Sequence, residues 1–282
     1  MNVQHSAAPL GTEIRGLDLA QSLDDVTFRA IEELFHDRGV IVFRDQRLSE
    51  EQHINFSRRF GELEIHIAKH YVKASHPEIL VLSNIIENGR HIGLHDAGQF
   101  WHSDFSYVAN PSRCSLLYAL EVPAQDGRVL GETLFASAVH AYDTLPGCLK
   151  ARLEGKRAVH RYADRYRKLQ ETIGREPLSD EQLRRVPDVS HPVVRAHPRT
   201  GRRVLFVNEG FTVVIEGMTA PESDSLLQEL FTHIARQETI YAHHWREGDL
   251  LMWDNCLVQH RAVRNYELPL RRLMHRTTVT GP

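Results

Sequence analysis

The sequence predicts an α+β fold in which helices near the N-terminus precede a core of short antiparallel strands. Helical periodicity dominates the first 60 residues. From residue 79, short aromatic or β-branched runs (ILVLSNI, QFWHSDFSY, SRCSLLYALEV) alternate with Gly, Asn and Pro, the spacing of an antiparallel barrel or sandwich. A chain of 282 residues with 41% hydrophobic and 25% charged side chains has globular composition and length for one large domain or two small ones. No stretch has linker composition, so a single domain over 1–282 is expected.

The elements follow in order. DVTFRAIEELFHDRG places Phe28, Ile31, Leu34 and Phe35 on one helical face behind Asp24 and Asp25, with Gly39 as the stop, and VIVF then reads as a strand. LSEEQHINFSRRFG predicts a second helix opened by a capping box from Ser49 to Gln52. A polar, helix-prone stretch from about 138 to 190 interrupts the strands and reads as a helical insertion over the β core, a candidate lid. Strand signals resume at HPVVRAH and RRVLFVNEGFTVVIEG. A helix through PESDSLLQELFTHIARQ then sets Leu226, Leu227, Leu230, Phe231 and Ile234 in register. YAHHWREGDLLMWDNCLVQHRAV and LRRLMHRTTVTG read as two closing strands joined by the RNYELP turn.

Charge and composition exclude several classes. A net charge of −3 supplies no basic field for nucleic acid or an anionic membrane surface, and the longest apolar runs are too short to span a bilayer. The opening MNVQHSAAPLGTE has no basic stretch followed by an apolar one, so no secretory signal is expected. Cys114, Cys148 and Cys256 form no CxxC pair and read as reduced thiols in a cytoplasm.

The chemistry centres on FWHSDFSY. In a strand, residues i and i+2 share a face, so His102 and Asp104 are expected to project together. One imidazole and one carboxylate are two-thirds of a two-His-one-carboxylate facial triad, a donor set suited to non-haem Fe(II). Alone the motif is weak, since the chain has 18 histidines and a second match at His76-Pro77-Glu78. Support lies at the far end. His260 falls in a late strand, and RRLMHR places Arg272, Met274 and Arg276 on one strand face, the two arginines about 13 Å apart at ~3.3 Å per residue. Two inward guanidinium groups near a metal each require an anion. One suits the distal carboxylate of 2-oxoglutarate, the other an acid group on the substrate.

On these residues the chain resembles the Fe(II)/2-oxoglutarate-dependent dioxygenases of the taurine and 2,4-dichlorophenoxyacetate dioxygenase type. The likeness runs through GTEIRGLDL, VIVFRDQRLSEEQ, FGELEIH, FWHSDFSY, GETLF, HPVVRAHPRTGRRVLFVNEGFT, GDLLMWDN, QH and RRLMHR, nearly the whole chain. It implies a double-stranded β-helix, or jelly roll, with flanking helices. It also implies iron ligands at His102, Asp104 and His260, and Thr133 and Arg272 on the far carboxylate of 2-oxoglutarate. Arg276 would face the substrate's anionic group, with His66 and Lys69 as further substrate donors. The activity implied is oxidation of a C–H bond of a small anionic molecule by O₂, with release of succinate and CO₂, in a homo-oligomer.

Departures from the taurine enzyme's pattern set the substrate apart. Lys69 stands where that enzyme has a tyrosine and Gly98 where it has an asparagine, with Tyr71 in reach only after a local shift. Acids other than taurine are expected first. Two other classes fit the same core: a jelly-roll metal enzyme that does not use 2-oxoglutarate, which leaves Arg272 without a role, and a non-catalytic anion-binding relative. His243 and His244 cannot both face inward and read as structural. Trp253 and Phe211 read as pocket or core aromatics.

Overall fold

The computed structural model describes residues 1–66, 69–173 and 176–281. The first helix, Asp25–Arg38, begins where the Asp24 carboxylate accepts the backbone N–H groups of Val26 and Thr27. It ends at Gly39, whose φ of 68° lets its N–H return to the Phe35 carbonyl. The capping box of Ser49 and Gln52 opens the second helix, Glu50–Arg58. Both helices cover one face of a seven-stranded sheet, whose order is Asn2–His5, Thr12–Arg15, Val40–Phe43, Leu250–Asp254, Cys114–Glu121, Leu273–Val279 and Leu80–Ser83. Of the pairings in this sheet, only Thr12–Arg15 with Val40–Phe43 is parallel.

Period-2 alternation explains why the central strands are apolar throughout. Ile41, Phe43, Leu250 and Met252 point toward Phe28, Ile31 and Phe35 of the first helix. Val40, Val42, Leu251 and Trp253 point to the opposite face, where they meet Phe135, Val258 and Met274. Phe135 and Val258 belong to a smaller sheet of Ile240–His243, Thr133–Ser137 and Val258–Ala262. The space between the two sheets is therefore core at one end and available for a site at the other. The helix Ala220–Ile234 closes a third cluster through Leu226, Leu227, Leu230 and Ile234.

Three expectations need correction. The insertion from 138 to 190 is not wholly helical, because Arg157–His160 is a strand between Val189–Pro192 and Thr212–Ile215. Its polar sequence hides that strand: Ala158 and His160 are buried, while Arg157 is exposed. Second, the closing strands Val258–Ala262 and Leu273–Val279 are not a hairpin. They lie in different sheets, and the segment between them crosses from the small sheet to the large one. Third, His102 and Asp104 do not stand in a strand. His102 makes a single β-bridge and Asp104 opens a turn.

Among the described residues no helix is long and apolar enough to cross a membrane, and Cys114, Cys148 and Cys256 are free thiols.

The core also sets an acid limit on stability. Burial pushes the His53 and His160 imidazoles down to about 3 and that of His275 to about 4. An unfolded imidazole titrates near 6.5, so between pH ~6.5 and those values the unfolded chain binds more protons than the folded one. Stability is therefore complete above pH ~6.5 and falls as the pH drops below it. Thermal melts from pH 7.5 to 4.5 are expected to show a falling midpoint below pH ~6.5; a flat profile contradicts neutral, buried imidazoles.

Candidate active site

Two histidines 158 residues apart in sequence meet through the backbone. The His102 N–H donates to the His260 carbonyl at 3.1 Å and the His260 N–H to the His102 carbonyl at 2.8 Å. Directly opposed residues of an antiparallel bridge project side chains to one side, and the two imidazole centroids lie 4.1 Å apart. Phe105, at a φ of 56°, turns the chain immediately after Asp104. The Asp104 carboxylate comes within 3.6 Å of His102 Nε2 and 4.0 Å of His260 Nε2. All three residues are buried, and their donor atoms lie within 4.8 Å of one another.

The surroundings prepare these atoms for a cation. The Phe100 carbonyl, 2.9 Å from His102 Nδ1, accepts that nitrogen's proton and leaves the Nε2 lone pair aimed at Asp104. Burial first, then His102 and Arg276, hold His260 well below the usual imidazole range, so it is neutral, as a ligand must be. Burial alone would raise Asp104, but the Arg276 guanidinium outweighs it and holds the carboxyl well below the usual range.

A layer that sequence reading assigned no role orients Asp104. Ser115 Oγ donates to its Oδ2 at 2.7 Å, and the Asp104 N–H donates to Asn255 Oδ1 at 3.3 Å. Asn255 in turn donates to Ser112 Oγ at 2.9 Å and Ser115 Oγ at 3.2 Å. Asn255 lies in the GDLLMWDN stretch that resembles the family, which was its one available signal. Ser115 sits in an ordinary strand and gives none.

Arg272 and Arg276 open onto one cavity with His102, His260, Thr133 and Trp253. Arg272 is placed by Asn84, whose Oδ1 accepts its backbone N–H at 2.8 Å, and by Ser83, whose hydroxyl donates to its carbonyl at 2.8 Å. Thr133 is buried and receives the Trp245 indole N–H at 3.0 Å. The expected anion of Arg276 was a substrate's, yet its Nη1 lies 3.2 Å from Asp104 Oδ1. Arg276 thus pairs with the Asp104 carboxylate while its Nε has no partner among the described residues.

The remaining candidates divide. His66 packs edge-on against Phe105, 5.8 Å between centroids, and does not line this cavity. The side chain of Lys69 lies outside the described residues. Tyr71 packs against the main core. At Gly98, φ 69°, a Cβ would stand 3.0 Å from His102 Cε1, so a side chain there would press on the His102 ring. Trp253 is both core and cavity wall, its ring 4.7 Å from that of His260. Phe211 joins Phe100, Phe105, Tyr107 and Val186 beside His102, and Tyr162 from the insertion packs on the same cluster. His243 is buried, 3.2 Å from Asp249, and His244 is exposed. The second HxE match is peripheral, with His76 Nδ1 2.8 Å from Glu50.

A second cluster, His36, His197 and Asp254, has metal-like spacing. His197 and Asp254 are satisfied without a cation, while His36 Nδ1 has no hydrogen-bond partner among the described residues. The Thr200 N–H donates to His197 Nδ1 at 3.2 Å, so Nε2 carries the proton and donates it to Asp254 at 3.0 Å. Asp254 Oδ1 also accepts the N–H groups of Cys256 and Leu257, at 2.8 and 3.1 Å, shaping the turn that leads into the His260 strand.

The family model described as taurine catabolism dioxygenase TauD, TfdA family matches residues 2–278. The chain belongs to that family. Among its TauD/TfdA relatives is the alpha-ketoglutarate-dependent 2,4-dichlorophenoxyacetate dioxygenase of Cupriavidus pinatubonensis, 37% identical over 94% of this chain and 92% of the relative. The alpha-ketoglutarate-dependent sulfate ester dioxygenase of Pseudomonas putida is 30% identical over 100% of this chain and 90% of the relative. The crystal structure of AAD-2 in complex with Mn(II) and N-oxalylglycine superposes with a TM-score of 0.82 at 29% identity, covering 100% of this chain and 97% of that one. As a TauD/TfdA member the chain is a 2-oxoglutarate-dependent non-haem iron dioxygenase.

Proposed function

We propose that this TauD/TfdA enzyme oxidises a C–H bond of a small acid other than taurine, within one catalytic domain whose two facing sheets form a double-stranded β-helix. The observation that carries the reading is the pair of buried guanidinium groups, Arg272 and Arg276, opening onto one cavity beside His102 and His260. Relatives support an acidic substrate, since the names of two of them specify a phenoxyacetate and a sulfate ester.

The residues present fit Fe(II): two neutral-capable imidazoles and a carboxylate held ionised, with His102 Nε2 freed by its Nδ1 contact. His102, Asp104 and His260 would hold the metal. Arg272 and Thr133 would take the far carboxylate of 2-oxoglutarate, a reading supported by their common cavity and by the Arg272 Nε that has no partner among the described residues. When bound, iron and 2-oxoglutarate supply O₂ activation and oxidative decarboxylation to succinate and CO₂.

The chain's own residues bind, orient and exclude water. Arg276, held by Asp104 through Nη1, lines the cavity and would meet a substrate acid there. The cluster of Phe100, Phe105, Tyr107 and Phe211 keeps the neighbourhood of His102 apolar, and Tyr162 and Val186 of the insertion close over it as a lid. His66, which packs edge-on against Phe105 and does not line this cavity, is left out of the substrate site, and Lys69 stays a candidate donor.

The test is substrate-dependent succinate release across matched acids and their neutral amides or esters, with wild type and Arg276→Ala. Wild type should prefer the acids by roughly 10-fold or more, as expected for a charge-assisted pair. The variant should lose most of that preference. Preference for neutral partners, or an unchanged preference in the variant, removes Arg276 from the substrate site.

A further inference from the structure

Two hydroxyl groups line the cavity with Arg272, and what surrounds each fixes what it still has to offer. The Trp245 indole nitrogen can only donate, so in its 3.0 Å bond to Thr133 Oγ1 the hydroxyl accepts and its hydrogen remains to be given elsewhere. Trp245 is fully buried and braced edge-on by His243, 4.5 Å between centroids, so the indole is held in place. A guanidinium likewise has donors and no acceptor. Tyr266 stands beside it, since a Cβ at Gly131 would meet Tyr266 Cε1 at 2.8 Å and Arg272 Cδ at 3.5 Å, and the phenol cannot give its hydrogen to the guanidinium.

The backbone is shaped to put Tyr266 there. At Gly131, φ 75°, a Cβ would lie 2.8 Å from Tyr266 Cε1, so the phenol ring lies where only glycine leaves room. Asn265, the preceding residue, accepts the Gly131 N–H at 2.8 Å and ties the two segments together. Arg272, Thr133 and Tyr266 all line the cavity, and Arg272 Nε has no partner among the described residues. Three donor groups converge at this end without a matching acceptor, an arrangement that suits a two-oxygen anion.

We propose that Tyr266 donates its phenolic O–H to the far carboxylate of 2-oxoglutarate, and that Trp245 is a positioning residue that turns the Thr133 hydroxyl hydrogen toward the same carboxylate. The inference rests on the reading that Thr133 and Arg272 hold that carboxylate.

The test is calorimetric titration of Mn(II)-loaded protein with 2-oxoglutarate and with 2-oxopentanoate, the same five-carbon keto acid without the far carboxylate. Tyr266→Phe should weaken 2-oxoglutarate roughly tenfold and leave 2-oxopentanoate unchanged. Trp245→Phe should weaken 2-oxoglutarate as much as Thr133→Val does, and the double variant should be no weaker than Thr133→Val alone. Unaltered 2-oxoglutarate affinity in Tyr266→Phe, or equal losses for both keto acids, overturns the donor role of Tyr266. Fully additive losses overturn the positioning role of Trp245. If Trp245→Phe does not fold, Thr133→Val against Thr133→Ser decides: the serine should keep the affinity that the valine loses, and equal affinities refute the hydroxyl as donor. Arg272→Gln separates this proposal from its parent. Loss in Arg272→Gln with none in Tyr266→Phe rejects the new donor alone, whereas no loss in either rejects the co-substrate site itself.

Discussion

His102→Ala and His260→Ala are each expected to abolish substrate-coupled succinate formation, with Mn(II) binding weakened in parallel and thermal unfolding close to wild type. Each removes one of three donors that lie within 4.8 Å of one another. Asp104 needs a different substitution. Its carboxylate is the anion 3.2 Å from the buried Arg276, so Asp104→Ala leaves that guanidinium unpaired. Breaking one partner of a buried pair costs about 3–5 kcal/mol, and a fall in activity would then mix lost chemistry with lost fold. Asp104→Asn preserves the shape and most of the contacts and should be as inactive as the histidine variants. The outer layer supplies the contrast. Ser115→Ala removes the 2.7 Å bond to Asp104 Oδ2 but no ligand atom, and changes of that kind cost about 10–100-fold. Near-normal turnover in any of the three ligand variants, or a Ser115→Ala defect as deep as theirs, would sink the assignment.

Much of this site was legible because the informative residues are chemically distinctive. His102, Asp104, His260, Arg272 and Arg276 are costly to bury singly, and each was identified by asking what would justify its burial. The geometry that unites them was less legible. Strand alternation correctly brought His102 and Asp104 together, but for the wrong reason: a lone bridge to His260 and a turn at Phe105 do the work. The Arg157–His160 strand was hidden because its exposed arginine and flanking polar helices carry no period-2 signal. One of the strand's two partners, Thr212–Ile215, lies more than 50 residues on. Ser115 and Trp245 were invisible as functional positions, and Asn255 had only the GDLLMWDN likeness to mark it. Their roles are hydrogen bonds to other side chains, which depend on contacts across the two sheets and leave no local pattern. The closeness of Gly98 to the His102 ring shows only with coordinates.

Arg272→Ala should raise the concentration of 2-oxoglutarate needed for half-maximal succinate formation by roughly 100-fold, with a smaller effect at saturation. Arg272 is 7% exposed, and burial pushes its guanidinium down from the ordinary arginine range. A cation in that position has been desolvated without an anionic side chain to meet it, so its pairing with a carboxylate has no competitor among the described residues. Hydrogen bonds to charged groups are worth about 1.5–3 kcal/mol each, and two lost from a bidentate pair account for the expected loss. Arg272→Lys should recover part of the affinity, because an ammonium keeps the charge but cannot reproduce the planar fork. Thr133→Val, which removes one neutral donor, should cost roughly tenfold or less. The measurement is the 2-oxoglutarate dependence of succinate release at a fixed acid substrate, alongside direct titration of the Mn(II)-loaded variants. If Arg272→Ala titrates like wild type, the placement by Asn84 and Ser83 serves packing, and the far carboxylate is held elsewhere.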